Sequence, residues 1–165
     1  MTPPRVLEIS RLLWVASALV GMLRFVVQLA DRDMLIDELL RQNPGLGQDE
    51  IDLTVNGSIV VGLLFGGLLV LVYALLSRRM LSGRNWARVV LTVFGAIGVF
   101  VGLGRSLLVV SGAAAAAGVA VTAVDVVAGL VTAALDGTAA VLMYRSASSA
   151  YFAAVTRARA VGGVV

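Results

Sequence analysis

The chain has 165 residues, 59% of them hydrophobic and 14% charged, with a mean hydropathy of +0.97 and a formal net charge of +3. A soluble domain of this size needs a charged surface that this composition does not supply, so a soluble enzyme is excluded and a single membrane domain is expected. Cysteine and histidine are absent, which removes disulfides, thiol chemistry, histidine metal sites and any Ser–His pair.

Residues 1–11 carry two prolines and an acid, Glu8, and lead into the first apolar run, about 12–30. That run is longer than a typical signal core and shows no small-x-small cleavage site before Asp31, so it reads as a retained span. Three further runs follow at about 58–77, 89–110 and 119–144. Roughly 20 helical residues cross a hydrocarbon core of about 30 Å, so each run is long enough to span. The expected fold is all-α: an integral membrane four-helix bundle formed by one domain over 1–165.

Between the first two runs lies the acidic segment 31–57. It holds Asp31, Asp33, Asp37, Glu38, Asp49, Glu50 and Asp52 against Arg32 and Arg41. Within it Met34, Leu35, Leu39 and Leu40 keep helical spacing, with acids first and Arg41 last, which predicts a short amphipathic helix over 33–42. Asn43-Pro44-Gly45 breaks it, and 48–55 starts a helix running into the second span. A cap lying over the bundle is the plain reading of this segment; a docking surface for an extracytoplasmic partner is the sharper one.

The other connecting segments carry the opposite sign. Arg78, Arg79, Arg84 and Arg88 stand between the second and third runs with no acid, and Arg145, Arg157 and Arg159 follow the fourth. Arg5 and Arg11 precede the first against Glu8. Arginine in short loops stays cytoplasmic, so both termini are expected inside, with 31–57 and the short loop at 111–118 outside. Trp14, Trp86 and Tyr144 are expected as aromatic anchors at the cytoplasmic interface. The four arginines at 78–88 are placed to reach anionic headgroups, but they read first as an orientation signal and only second as a specific lipid site.

Lipid tails give no hydrophobic drive for helix pairing, so small residues mark packing faces. Gly62 and Gly66 form such a row in the second span, with Gly67 beside them. Gly95, Gly98 and Gly102 mark the third, and Gly129, Ala133 and Gly137 the fourth. These rows serve equally for packing within one chain, with another membrane protein, or with a second copy.

Four charged residues interrupt the runs: Arg24, Arg105, Asp125 and Asp136. A charge at the bilayer centre costs about 2.5–3.5 kcal/mol on insertion scales, so each needs a partner, water or an interface. Arg24, Arg105 and Asp125 share the outer half, and an Arg–Asp cluster is expected there because the guanidinium fork clasps a carboxylate. Asp136 lies deeper, at a level no in-span arginine shares. Asp125 and Asp136 are eleven residues apart, which returns them to nearly one helix face about 16 Å apart. The structural reading makes Asp125 a fold-specifying ion-pair partner and leaves Asp136 to hydroxyl donors or a proton. The functional alternative is an ion or proton path along Asp125 and Asp136, and a third reading is a polar contact with another membrane subunit.

No phosphate-binding glycine loop, catalytic set or nucleic-acid surface is found, and the acids of 31–57 lack the alternating ligands of a calcium loop. No cofactor or metal is expected. The leading expectation is a non-enzymatic accessory, scaffold or partner-binding protein of the cell membrane. A small transporter or channel is the alternative.

GRNWAR at 83–88 opens the third span as VVLTVFG. The acidic segment reads DxLxDxLL before Asn-Pro, and RSASSAYF follows the fourth span at 145–152. Together these resemble a loose group of small four-span actinobacterial membrane proteins of unknown function. The absence of lysine and the abundance of Ala, Val and Gly agree with a GC-rich bacterial source. The resemblance implies topology and origin and assigns no functional residue.

Overall fold

The computed structural model describes residues 2–113 and 122–162. Among these described residues six helices follow one another: α1 (Arg5–Ala30), α2 (Arg32–Gln42), α3 (Gln48–Leu81), α4 (Asn85–Val110), α5 (Ala123–Tyr144) and α6 (Ser146–Gly162). Four of them, α1, α3, α4 and α5, are long and apolar enough to cross a membrane. The chain is therefore a multi-pass helical membrane protein. Most of the loop expected at 111–118, and the start of the fourth run at 119–121, lie outside the described residues.

Local chemistry sets the helix ends. Pro4 precedes α1, with Glu8 in its first turn. Asp31 closes α1 and caps α2, its carboxylate accepting the Met34 N–H at 3.1 Å, which satisfies a donor the helix start leaves open. As expected for 48–55, this stretch is helical: residues 48–57 form the first turns of α3, with Asp49 and Glu50 favoured at its positive end. Arg32 of α2 pairs with Asp52 at 2.7 Å and donates to Asn56 at 2.9 Å, tying α2 to α3. Both charges of the pair are exposed, so it contributes little stability.

The α3–α4 turn is a Schellman motif. Arg84 N–H donates to the Arg79 carbonyl and Gly83 N–H to the Met80 carbonyl, with Gly83 at φ 74°. A side chain is strained at that dihedral.

In the bundle α1 packs on α3 and α5, and α4 packs on α3 and α5. This leaves α1 diagonal to α4, and α3 diagonal to α5. Helix α5 is the packing centre, because 33% of its apolar window is buried against 11% for α3 and α4. The dry core lies at the end holding the N-terminus, the α3–α4 turn and α6. It contains Leu7, Trp14, Leu76, Met80, Leu91, Ala139, Met143 and Phe152. Ser10 donates across it to the Ala139 carbonyl at 2.9 Å.

Two expectations about this end are corrected. Trp14 is not an interface anchor: it is fully buried, tilted against Tyr73 at 6.0 Å between ring centroids. Gly95 makes this possible, since a Cβ there would run into the Trp14 ring. Trp86 and Tyr144 are about half exposed, as interface residues can be. Arg88 is not a headgroup contact but is 7% exposed, with its guanidinium 3.8 Å above the Tyr144 ring and 5.1 Å from the Phe152 ring. Stacking on aromatic faces lets a weakly hydrated guanidinium sit in an apolar setting.

The segment after the fourth span is itself helical. Helix α6 docks against the α3–α4 turn. Tyr151 donates to the Leu81 carbonyl at 2.8 Å, Arg159 to the Ser82 carbonyl at 2.6 Å, and Val155 covers Gly83. Tyr151→Phe leaves the Leu81 carbonyl without this donor and is expected to cost about 1 kcal/mol. Thermal melting in detergent measures it, and an unchanged midpoint would remove Tyr151 as a clamp.

Candidate functional site: buried acids of the fourth span

Asp125 sits in the first turn of α5, not in its middle. Thr122 is the N-cap. Its hydroxyl accepts the Asp125 N–H at 3.2 Å, and its own N–H and hydroxyl reach Asp125 Oδ2 at 3.1 and 3.0 Å. This reciprocal cap fixes both the helix start and the carboxylate. The other oxygen, Oδ1, receives Arg24 Nε at 2.7 Å and Gln28 Nε2 at 2.6 Å from α1. With Asp125 at 6% exposure and every lone-pair direction occupied by a donor, this carboxylate is a closed structural joint between α1 and α5. Gln28 and Thr122 are the members that sequence reasoning missed. Both signals were available, since Gln28 lies one helical turn from Arg24 and Thr122 stands three residues before Asp125.

Arg105 does not join the pair. It is exposed, makes no ion pair among the described residues, and borders a small hollow of about 170 Å³ that Arg24, Asp125, Gly129 and Thr132 also line.

The glycine faces resolve into specific tasks. Gly62 and Gly66 of α3 receive Phe25 and Met22 of α1. Gly102 of α4 meets the Gly129 backbone of α5 directly: a Cβ on Gly102 would lie 2.9 Å from the Gly129 carbonyl oxygen. Ala133 is buried one turn on. Gly98 leaves room for Asp136, whose Oδ2 would stand 2.9 Å from a Cβ there. Gly137 takes no part in packing within this chain, because a Cβ on it would meet nothing within 4 Å. Eight residues at about 100° each turn Gly137 roughly 80° away from Gly129, while Asp136 returns to within about 20° of it. The packing row on α5 is therefore Asp125, Gly129, Ala133 and Asp136.

Asp136 is 4% exposed, deep in the bundle, and its Oδ1 has no hydrogen-bond partner among the described residues. Ser17 of α1, Tyr73 of α3 and Thr132 of α5 are the other polar side chains on its cavity. It lines a cavity of about 310 Å³ to which all four spans contribute: Ser17 and Phe25 from α1, Phe65 and Tyr73 from α3, Gly98 from α4, Thr132 from α5. Gly98 and Thr132 also border the hollow beside Arg24 and Asp125, so the two spaces adjoin. On the other flank Asp136 borders a groove of about 630 Å³ between α4 and α5, with Gly95 and Gly137. Toward the N-terminal end the packed core around Trp14 closes the bundle.

The four apolar helices and these buried acids define a four-span membrane protein with one closed ion pair and one open carboxylate. Compared with protein-family models, curated proteins and solved structures, the chain matches none. Among the described residues no group of three or more His, Cys, Asp or Glu is placed to hold a metal ion.

Proposed function

We propose that this chain is a non-enzymatic, multi-pass protein of the cell membrane that carries a small ion or solute by way of Asp136. The observation behind this reading is the contrast between the two acids. Asp125 is fully occupied by Arg24, Gln28 and Thr122, whereas Asp136 keeps a buried oxygen without a partner on a cavity that adjoins the Arg24 end. A carboxylate inside a bilayer is costly, and those retained there commonly mark ion or proton routes. The path alternative read from the sequence is thereby narrowed from two acids to Asp136 alone.

Reconstituted in liposomes under an imposed potassium diffusion potential, the protein is expected to admit protons above the leak of empty vesicles, read by an internal pH dye. Asp136→Asn is expected to reduce that flux at least tenfold. Flux equal to empty vesicles, or untouched by the substitution, would overturn the transport reading.

The proposed threading puts both termini in the cytoplasm and α2 outside. It is supported by the contacts of α6 with the α3–α4 turn, which gather Arg78, Arg79, Arg84, Arg157 and Arg159 at one end, opposite the acids of α2 and early α3. The native chain has no cysteine, so single replacements report cleanly. Glu38→Cys is expected to react with an impermeant maleimide in intact cells and Arg84→Cys only after lysis; the reverse pattern inverts the topology. Membership of the loose actinobacterial group, on the residues given above, belongs to the same proposal.

A second reading, an accessory subunit, is favoured by Gly67. It lies on the outer face of α3 with open space above it, between exposed Leu63, Leu64, Leu68 and Leu71. Small notches of this kind admit a partner helix. A stable stoichiometric partner in a mild-detergent pull-down from native membranes, with no flux in liposomes, would select it over transport.

A further inference from the structure

We propose that the cavity at Asp136 binds a lipid-soluble organic monocation, an amine or quaternary ammonium, with its positive centre on the carboxylate and its hydrocarbon among the rings of Phe25, Phe65 and Tyr73. This rests on the reading of Asp136 as the working residue and adds the ligand class.

Charge comes first. The cavity lining contains one acid and no arginine, and Arg24, at the adjoining hollow, is already committed to Asp125. A buried carboxylate with an unpartnered oxygen is an unmet demand for positive charge or a proton.

Shape and lining then choose among cations. Apart from the acid, the side-chain oxygens offered are the hydroxyls of Ser17, Tyr73 and Thr132. An inorganic cation asks for about six oxygens, and this wall is mainly hydrocarbon and aromatic. Aromatic faces attract a positive centre that is weakly hydrated, and quaternary ammonium groups are the recognised instance. The volume of about 310 Å³ suits a molecule of drug-fragment size.

The entrance points to the phase from which the ligand comes. Gly21, Phe65 and Leu69 line the cavity and are exposed on the outer surface of the bundle, so it opens sideways between α1 and α3. In a four-span protein that surface faces acyl chains. A ligand arriving there must dissolve in hydrocarbon and still carry a charge, which describes a lipophilic ammonium and excludes a hydrated metal ion. Gly62 and Gly66 keep α1 and α3 close, with Phe25 and Met22 lying over them beside the entrance.

The probe is benzyltrimethylammonium, with neopentylbenzene as its uncharged isostere. Binding to the purified full chain in mild detergent is followed by Trp fluorescence, since Trp14 lies against Tyr73 of the cavity wall. Saturable binding of the cation with at least tenfold weaker binding of the isostere is expected. Asp136→Asn should weaken the cation at least tenfold and leave the isostere unchanged. Phe65→Leu, at an exposed position that does not threaten folding, should weaken it about threefold through loss of one aromatic face. No cation binding by the native chain, equal affinity for the two probes, or unchanged affinity in both variants would overturn the proposal. If Asp136→Asn fails to fold, the isostere and Phe65→Leu decide. Asp136-dependent proton flux without cation binding would sink this inference and leave the transport reading standing.

Discussion

Arg24→Ala is expected to lower stability by about 3 kcal/mol, because it strips the charged partner from a buried carboxylate. Arg24 stands at 21% exposure and Asp125 at 6%, with 2.7 Å between Nε and Oδ1. Gln28 and Thr122 would remain as donors, which places the effect at the low end of the range for breaking buried pairs. In a chain of this length that corresponds to a fall of about 6–12 °C in the detergent melting midpoint. Arg105→Gln is expected to change it by less than about 0.5 kcal/mol, as an exposed charge away from special features does. The contrast makes the test sharp. Equal losses for the two arginines would mean that Arg105 shares the joint, and no loss for Arg24 would mean that the pair contributes nothing to holding α1 on α5.

The second large effect lies at the helix crossing. Gly102→Ala should cost about 2 kcal/mol, since its Cβ would stand 2.9 Å from the Gly129 carbonyl oxygen and rigid backbone, unlike a long side chain, cannot swing aside. Helices α4 and α5 would have to separate, disturbing the adjoining Gly98–Asp136 contact. Gly137→Ala, eight residues further along α5 from the crossing, meets open space and should stay within about 0.5 kcal/mol. Melting midpoints of the two variants decide. A harmless Gly102→Ala would show that the crossing is looser than the backbone contact implies.

Particular residues show how far the sequence carries. The positions of Gly62, Gly66, Gly98 and Gly102 follow from spacing alone, because a helix repeats its face every three or four residues. Gly137 satisfies the same spacing and still falls off the face, since a small-xxx-small row drifts about 40° per step. Only the neighbour shows where drift has carried a residue out of contact. Arg24 and Arg105 are equally plausible partners for Asp125 by depth. The structure separates them because the capped start of α5 turns Asp125 toward α1, where Gln28 adds a second donor. Trp14 and Arg88 mislead for a common reason. Both look like interface residues by type and depth, but a glycine slot at Gly95 and a pair of aromatic faces from Tyr144 and Phe152 take them inside.

Composition and run length by themselves determined that this is a helical, four-span membrane chain without thiol or histidine chemistry. The spans follow from transfer free energies summed over some twenty residues, and such sums survive any detail of packing; the missing chemistry follows from the residue content itself. Tertiary structure alone decided which acid is closed and which is open. Asp125 and Asp136 are the same residue type on one helix face eleven residues apart. Their difference lies in what α1, α3 and α4 bring to each: Arg24 and Gln28 for the first, a cavity with Phe25, Phe65 and Tyr73 for the second. Contacts between helices distant in the chain are set by side-chain shape at each crossing, and no periodicity within one helix encodes them.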